Sequence, residues 1–333
     1  MQFNVAKQPL IPAFLSLLLL TIIALTGATG GVVPTELYGG FSPNVLPIPL
    51  FGQWLTQMQG AHPTLARWIG GMLMLYTGAS LGRLTLRYNL YGTGTCLAIP
   101  IYGLAMMGTM SSGNYLLAIV VSMLLMLTVK NLCMSYRNGF GFDRIFRSTL
   151  FFSLLIMIEP AALPLLVLYP IAARRFRRTI RELIVALGGL LIPFVTLCYL
   201  NWGLGGEFTA PLRIFVQELT AGTMGEAVLH STLIERIFVG GLVLLNLTAY
   251  SLFRTNSYNV SIKARHILLF TSLLLLFCLL SALLPISAWV AIALLSVPTT
   301  LLVPVLFIRL HHSIAQLLYP LLIVAAIASF VLA

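Results

Sequence analysis

Charged residues make up only 8% of the 333 positions, and acidic ones number just eight. Soluble domains carry about 25% charged residues, so a water-soluble enzyme is excluded. The four cysteines (Cys96, Cys133, Cys198, Cys278) include no Cys-x-x-Cys spacing, which leaves no redox framework and makes them small buried apolar residues. There is no Gly-x-Ser-x-Gly elbow and no His-Glu-x-x-His pair, so serine hydrolases and zinc proteases drop out. Gly92-Thr93-Gly94 and Gly139-Phe140-Gly141-Phe142-Asp143 lack the strand and helix context of a nucleotide loop and read as turns. Asn246-Leu247-Thr248 matches a glycosylation sequon by chance, inside an apolar run.

What fills the chain instead is apolar: 59% of residues, with a mean hydropathy of +1.00. A spanning helix needs ~20 apolar residues, and apolar runs recur from 10–26 to 313–332. The first run is longer than the ~7–15 residues of a signal-peptide core, so it reads as a retained span. The expected fold is an all-α, polytopic transmembrane bundle of about ten spans plus one re-entrant pair of half-helices.

The net charge of +11 follows topology, not nucleic acid, because basic residues are strung between apolar runs without a patch of interleaved aromatics. With the N-terminus cytoplasmic, every Lys and Arg except Arg67, Arg213 and Arg236 falls inside, as the positive-inside rule requires. Trp54, Trp68, Trp202 and Trp289 then lie at the outer interface, where an indole is at ease. The expected setting is a bacterial inner membrane, with the C-terminus extracytoplasmic. The run at 148–173 has arginines at both ends, so it must enter and leave on one side. Each half of about 13 residues reaches roughly 20 Å at ~1.5 Å per residue, short of a ~30 Å core. Its tip, Ile158 to Pro164, carries Glu159 and two prolines. The Arg174-Arg175-Phe176-Arg177-Arg178 cluster reads as a topology signal before it reads as a lipid-phosphate site.

Two outward loops, 29–63 and 201–235, each hold an amphipathic stretch that is expected to lie flat in the interface. In the first, Leu50, Phe51, Trp54, Leu55 and Met58 alternate with Gln53, Gln57 and Gln59; in the second, Leu212, Phe215, Val216 and Leu219 alternate with Arg213, Gln217 and Glu218. Division at about residue 200 gives a first membrane module, 1–200, and a second part, 201–333, of loop and four-span bundle.

Candidate chemistry is sparse. Glu159 is the one acid expected at depth, where an ionisable group is costly and by default functional; the alternative is a carboxyl capping the helix that starts at Pro160. Glu36, in Pro34-Thr35-Glu36-Leu37, could act as a general base, or be an ordinary solvated loop residue. His62 and His230 could carry protons, although turn histidines are the simpler account. No spacing supports a metal site. Arg67 and Arg213, with Arg236, are the outer cations that could hold a phosphate, or helix ends whose side chains snorkel.

An outer carboxylate after the first span, the run His62-Pro63-Thr64-Leu65-Ala66-Arg67, the stretch Arg83 to Gly92, the hairpin and Gly188-Gly189-Leu190-Leu191-Ile192-Pro193 follow one another along the chain. Together they resemble, over about residues 5–200, the membrane module of the GT-C superfamily of polyprenyl-phosphate-dependent glycosyltransferases. The whole chain also resembles an integral-membrane family of Bacteroidetes whose activity is not assigned. The GT-C resemblance implies that Glu36 deprotonates an acceptor while an outer cation holds the phosphate of a lipid-linked donor. Against the family pattern, the loop is short, no Asp-Glu or Asp-x-Asp pair is present, and no soluble acceptor domain follows. The site residues expected are therefore Glu36 and Glu159 as catalytic and Arg67, Arg213 and His62 for substrate, with no cofactor and a polyprenyl-phosphate-linked or membrane-lipid substrate. Two other readings stand beside it: a non-catalytic subunit of an inner-membrane complex, favoured by the scarcity of polar groups in the spans, and a transporter or flippase, suggested by the broken hairpin.

Overall fold

The computed structural model describes residues 7–27, 50–110, 114–134, 141–176, 179–220, 232–255, 260–284 and 289–332. Among these residues the chain is helical without a strand. The helices are α1 (Leu10–Gly27), α2 (Leu50–Ala61), α3 (Pro63–Arg87), α4 (Ala98–Thr109), α5 (Tyr115–Met134), α6 (Phe142–Ile158), α7 (Leu168–Arg175), α8 (Ile180–Gly203), α9 (Ala210–Thr220), α10 (Leu233–Thr255), α11 (Ile262–Leu283), α12 (Ser296–Arg309) and α13 (His312–Leu332). Two 3₁₀ segments, Pro160–Val167 and Trp289–Leu295, lead into α7 and α12.

Seven helices are long and apolar enough to cross a membrane, which fits a membrane-embedded helical bundle. The expected count of about ten is not reached among the described residues. α3 has the length, at 25 residues, but Arg67, Arg83 and Arg87 dilute its apolarity; α4 has only 12 residues.

Contacts fix the direction of each element. Cys96 N–H donates to the Gln8 carbonyl at 3.0 Å, and Leu17 and Leu20 lie against Gly103, so α1 and α4 run side by side in the same sense. Gly71 faces Leu25 while Gly78 faces Leu17, so α3 runs opposite to α1. Tyr88 hydroxyl donates to the Cys133 carbonyl at 3.3 Å and Gly70 meets Ile119, which sets α5 along α3. These senses gather the described lysines and arginines, apart from Arg67, Arg213 and Arg236, at one end of the bundle, called here the basic end.

The segment after α5 departs from the expected pair of equal halves. Its outgoing arm is α6, a helix of 17 residues that starts at Phe142. The turn falls at Glu159, whose backbone is extended (φ −130°, ψ 91°), the region that a following proline enforces. Pro160 and Pro164 both lack the N–H of an α-helical ladder, and the return begins as a 3₁₀ helix. The arms then lie against each other: Ser148 and Tyr169 hydroxyls are 3.1 Å apart, and the Phe152 and Tyr169 rings 5.2 Å.

α8 next runs parallel to α6, joined to it by Ser153 Oγ donating to the Leu190 carbonyl at 2.8 Å. Glu182 ties their starts together. One carboxylate oxygen accepts the Thr179 N–H at 3.1 Å within a capping box, and the other accepts the Gly141 N–H at 2.8 Å. Hydrogen bonds to a charged acceptor contribute about 1.5–3 kcal/mol each when buried, and Glu182 is only 3% exposed. Glu182→Ala is therefore expected to lower stability by about 3–6 kcal/mol, with Glu182→Gln recovering part of it. Thermal unfolding of the detergent-solubilised protein measures both.

The centre of the bundle is the second 3₁₀ segment with α12. Over Val290–Arg309, 94% of the span is buried, against 22% for α8 and for α13. Several polar groups there pair with one another inside the protein, as a membrane interior favours. Tyr102 and Ser122 hydroxyls are 3.2 Å apart, Ser122 and Ser296 hydroxyls 2.8 Å, and Asn246 donates to Thr299 at 2.9 Å.

Candidate functional site

The end opposite the basic one carries the site. Helix α2 crosses over it, and its buried positions are Gly52, Thr56 and Gln59, one face at i, i+4 and i+7. Trp54, by contrast, is 57% exposed. Among the α2 side chains described, a small and polar strip faces the protein, Leu55 packs partly buried against the core, and the indole points away. A Cβ at Gly52 would lie 3.7 Å from the Ile158 carbonyl oxygen and 3.7 Å from Leu117, so a bare glycine lets α2 pass over the end of α6. Seven residues on, Gln59 Oε1 accepts the Leu116 N–H at 3.2 Å, satisfying one of the first amides of α5.

Glu159 follows Ile158 directly and is 2% exposed. Its side chain makes no capping bond to the 3₁₀ segment it precedes, so the capping role weighed for it is not what the structure has. The buried face of α2 thus leads from the Ile158–Glu159 corner toward the start of α5. There Asn114 is 8% exposed, and its side-chain oxygen accepts no hydrogen bond from the described residues. Beside it, Tyr115 hydroxyl lies 3.5 Å from the Pro63 carbonyl and is hydrogen-bonded to the half-buried Arg67. Trp68, 75% exposed, flanks Arg67 on the lateral surface.

Of the residues singled out in the sequence, Glu159, Arg67 and His62 lie at this same end: Gly52 of α2 faces the carbonyl before Glu159, His62 closes α2, and Arg67 meets Tyr115 at the start of α5. His62 is the hinge between α2 and α3: its N–H donates to Met58 at 2.9 Å and its carbonyl accepts from Ala66 at 3.0 Å. Its imidazole is exposed and caps nothing, which places it on the rim. Arg213 is differently placed. It projects from α9, exposed, and is held by Glu207 at 2.9 Å. α9 packs through Phe215 on Phe194 of α8, with ring centroids 5.4 Å apart, and touches the first 3₁₀ segment. Glu36 and His230 lie outside the described residues. α1 ends at Gly27 and α2 begins at Leu50, both at this end.

Thr56, Gln59, Asn114 and Tyr115 were not foreseen as part of the site. The spacing of Thr56 and Gln59 along α2 could have marked them, had the polar face been considered as the inward one. Glu235, placed outside by the sequence, pairs with Thr232 at the start of α10: the Thr232 N–H donates to it at 2.7 Å and the Glu235 N–H donates to the Thr232 hydroxyl at 3.3 Å. A Thr-x-x-Glu pattern signals that role.

No family model, no curated protein and no solved structure matches this chain.

Proposed function

We propose that the protein is a multi-pass inner-membrane transferase of the GT-C kind, which moves a sugar from a polyprenyl-phosphate donor to an acceptor on the extracytoplasmic face. The basic end is cytoplasmic in this reading, and the turn at Glu159 re-enters the membrane from that side. The observation that carries the proposal is the buried Glu159 carboxyl, one residue past the Ile158 carbonyl that Gly52 of α2 faces, at the end where Gln59 of the same helix binds the start of α5 and Tyr115 meets Arg67.

The chemistry divides as follows. Glu36 takes the proton of an acceptor hydroxyl as that oxygen attacks the sugar. The bond from sugar to phosphate breaks, and the lipid phosphate leaves with its charge held by Arg67, whose guanidinium suits a phosphate. Arg67 is preferred to Arg213 because Glu207 already engages the latter. Glu159 and Asn114 accept hydrogen bonds from sugar hydroxyls. The lipid tail remains in the bilayer, beside the exposed Trp54 and Trp68.

Glu36→Gln is expected to abolish the cellular glycoconjugate while the protein level stays unchanged, read by glycan profiling and immunoblotting. An intact glycan profile removes this reading and leaves the second, a non-catalytic subunit of a membrane complex. The packed centre of the bundle, filled by the second 3₁₀ segment and α12, supports that second reading over a transporter.

A further inference from the structure

At the basic end four chain segments converge on a crevice that the proposed site does not use. Its walls are Leu90 and Tyr91 from the turn after α3, Phe253 from the last turn of α10, Val260 and Leu268 around the start of α11, and Arg309 at the end of α12. The turn is held open by two left-handed residues, Asn89 (φ 44°) and Gly92 (φ 73°), and Tyr91 hydroxyl anchors it to the Leu301 carbonyl at 3.1 Å. The empty space is ≈ 250 Å³ counted out to the open mouth, but the centre of a water-sized sphere has only ≈ 10 Å³ in which to move. That is room for about one water molecule inside, so a ligand lies along the mouth instead of entering whole.

Arg309 is half-buried and, among the described residues, has no hydrogen bond and no ion pair. The two described acids of this end are committed elsewhere, Asp143 to Arg147 at 2.9 Å and Glu182 to backbone amides. Around the crevice the charge is of one sign: Arg87, Arg254, Lys263 and Arg265 close the neighbouring helix ends. A half-buried guanidinium over apolar walls, in a positive field, at the level where helices end, matches one kind of occupant. We infer that this crevice seats an anionic phospholipid, with the phosphate on Arg309 and the first carbons of the glycerol and acyl chains along Leu90, Phe253 and Val260.

The inference is independent of the transferase reading. Arg309 also complements the carboxy-terminal dipole of α12, and this alternative makes the experiment decisive. Purified full-length protein in mild detergent is titrated with phosphatidylglycerol, with phosphatidylcholine and with inorganic phosphate, and lipid binding is read by native mass spectrometry beside the thermal midpoint. Phosphatidylglycerol is expected to bind the wild type in preference to phosphatidylcholine. Arg309→Gln is expected to lose about tenfold in that affinity, the equivalent of ~1.4 kcal/mol, while Arg254→Gln keeps it. Val260→Phe, which retains the arginine and narrows the crevice, is expected to weaken the same lipid, and it decides the matter should Arg309→Gln fail to fold. Undiminished phosphatidylglycerol binding by Arg309→Gln overturns the inference and leaves Arg309 as a helix-end cation. It is overturned equally by undiminished binding in Val260→Phe, by equal binding of both lipids, or by inorganic phosphate competing as well as the lipid.

Discussion

Replacing Gly189 by alanine is expected to destabilise the protein by about 1–3 kcal/mol, and by leucine severely enough to prevent accumulation of folded protein. A Cβ at Gly189 would overlap Thr149 Oγ1 and lie 2.8 Å from the Phe146 carbonyl oxygen, at the contact between α8 and α6. The hydroxyl can turn away, but the carbonyl belongs to the helix and can move only if the two helices separate. Small residues at such crossings let backbones approach in a membrane. Gly188→Ala supplies the control, since nothing lies within 4 Å of its Cβ position, and a helical alanine is slightly favoured over glycine. Thr149→Ala in the Gly189→Ala background is expected to recover only part of the loss, because the carbonyl remains. Unfolding midpoints of the four proteins test this, and equal midpoints for Gly188→Ala and Gly189→Ala would contradict the packing described.

The stretch Gly188 to Pro193 stood out in the sequence only as part of a pattern, and its physical role emerges from the parallel pairing of α6 with α8. That pairing depends on contacts between residues about 40 apart, such as Gly141 with Glu182. Periodicity within a single helix holds no information about them. Helical character and membrane embedding were, by contrast, plain from composition, because 59% apolar residues in long runs admit few other folds. Segregation of basic residues was equally plain, since each arginine could be placed by the run it flanks.

The site shows where such reasoning stops. Glu159 was identifiable because a lone acid in an apolar run is costly wherever it packs. α2 was identified as an amphipathic stretch, but which of its faces meets the protein was left open. Amphipathicity tells which residues share a face, but in a bilayer the apolar face has two suitable partners, lipid and protein. The polar strip Thr56–Gln59 can face the protein only because Leu116 offers an amide that needs an acceptor. The second 3₁₀ segment gave no local warning at all: Trp289 to Leu295 contains neither proline nor glycine. Its tightened geometry is imposed by burial between α5 and α11, against both of which it packs.

Glu159→Gln is expected to lower sugar transfer about ten- to a hundredfold, the scale of losing a charged acceptor for the sugar hydroxyls, without reducing the amount of folded protein. Glutamine preserves the volume and can still accept one hydrogen bond in the corner between α6 and the 3₁₀ segment, so the turn set by Pro160 persists. Glu159→Leu removes the polar group from a position only 2% exposed, and an apolar side chain there avoids the desolvation cost of a buried carboxyl. If the carboxyl serves the substrate, both variants fold and both lose activity in glycan profiling. If it serves only the fold, the glutamine variant stays active and stability alone responds. Gln59→Leu separates the two further: it removes the acceptor for the Leu116 amide and loosens α2. Activity should then fall in step with the loss of α2 docking, measured by hydrogen exchange at residues 50–61, whereas Glu159→Gln leaves that exchange unchanged.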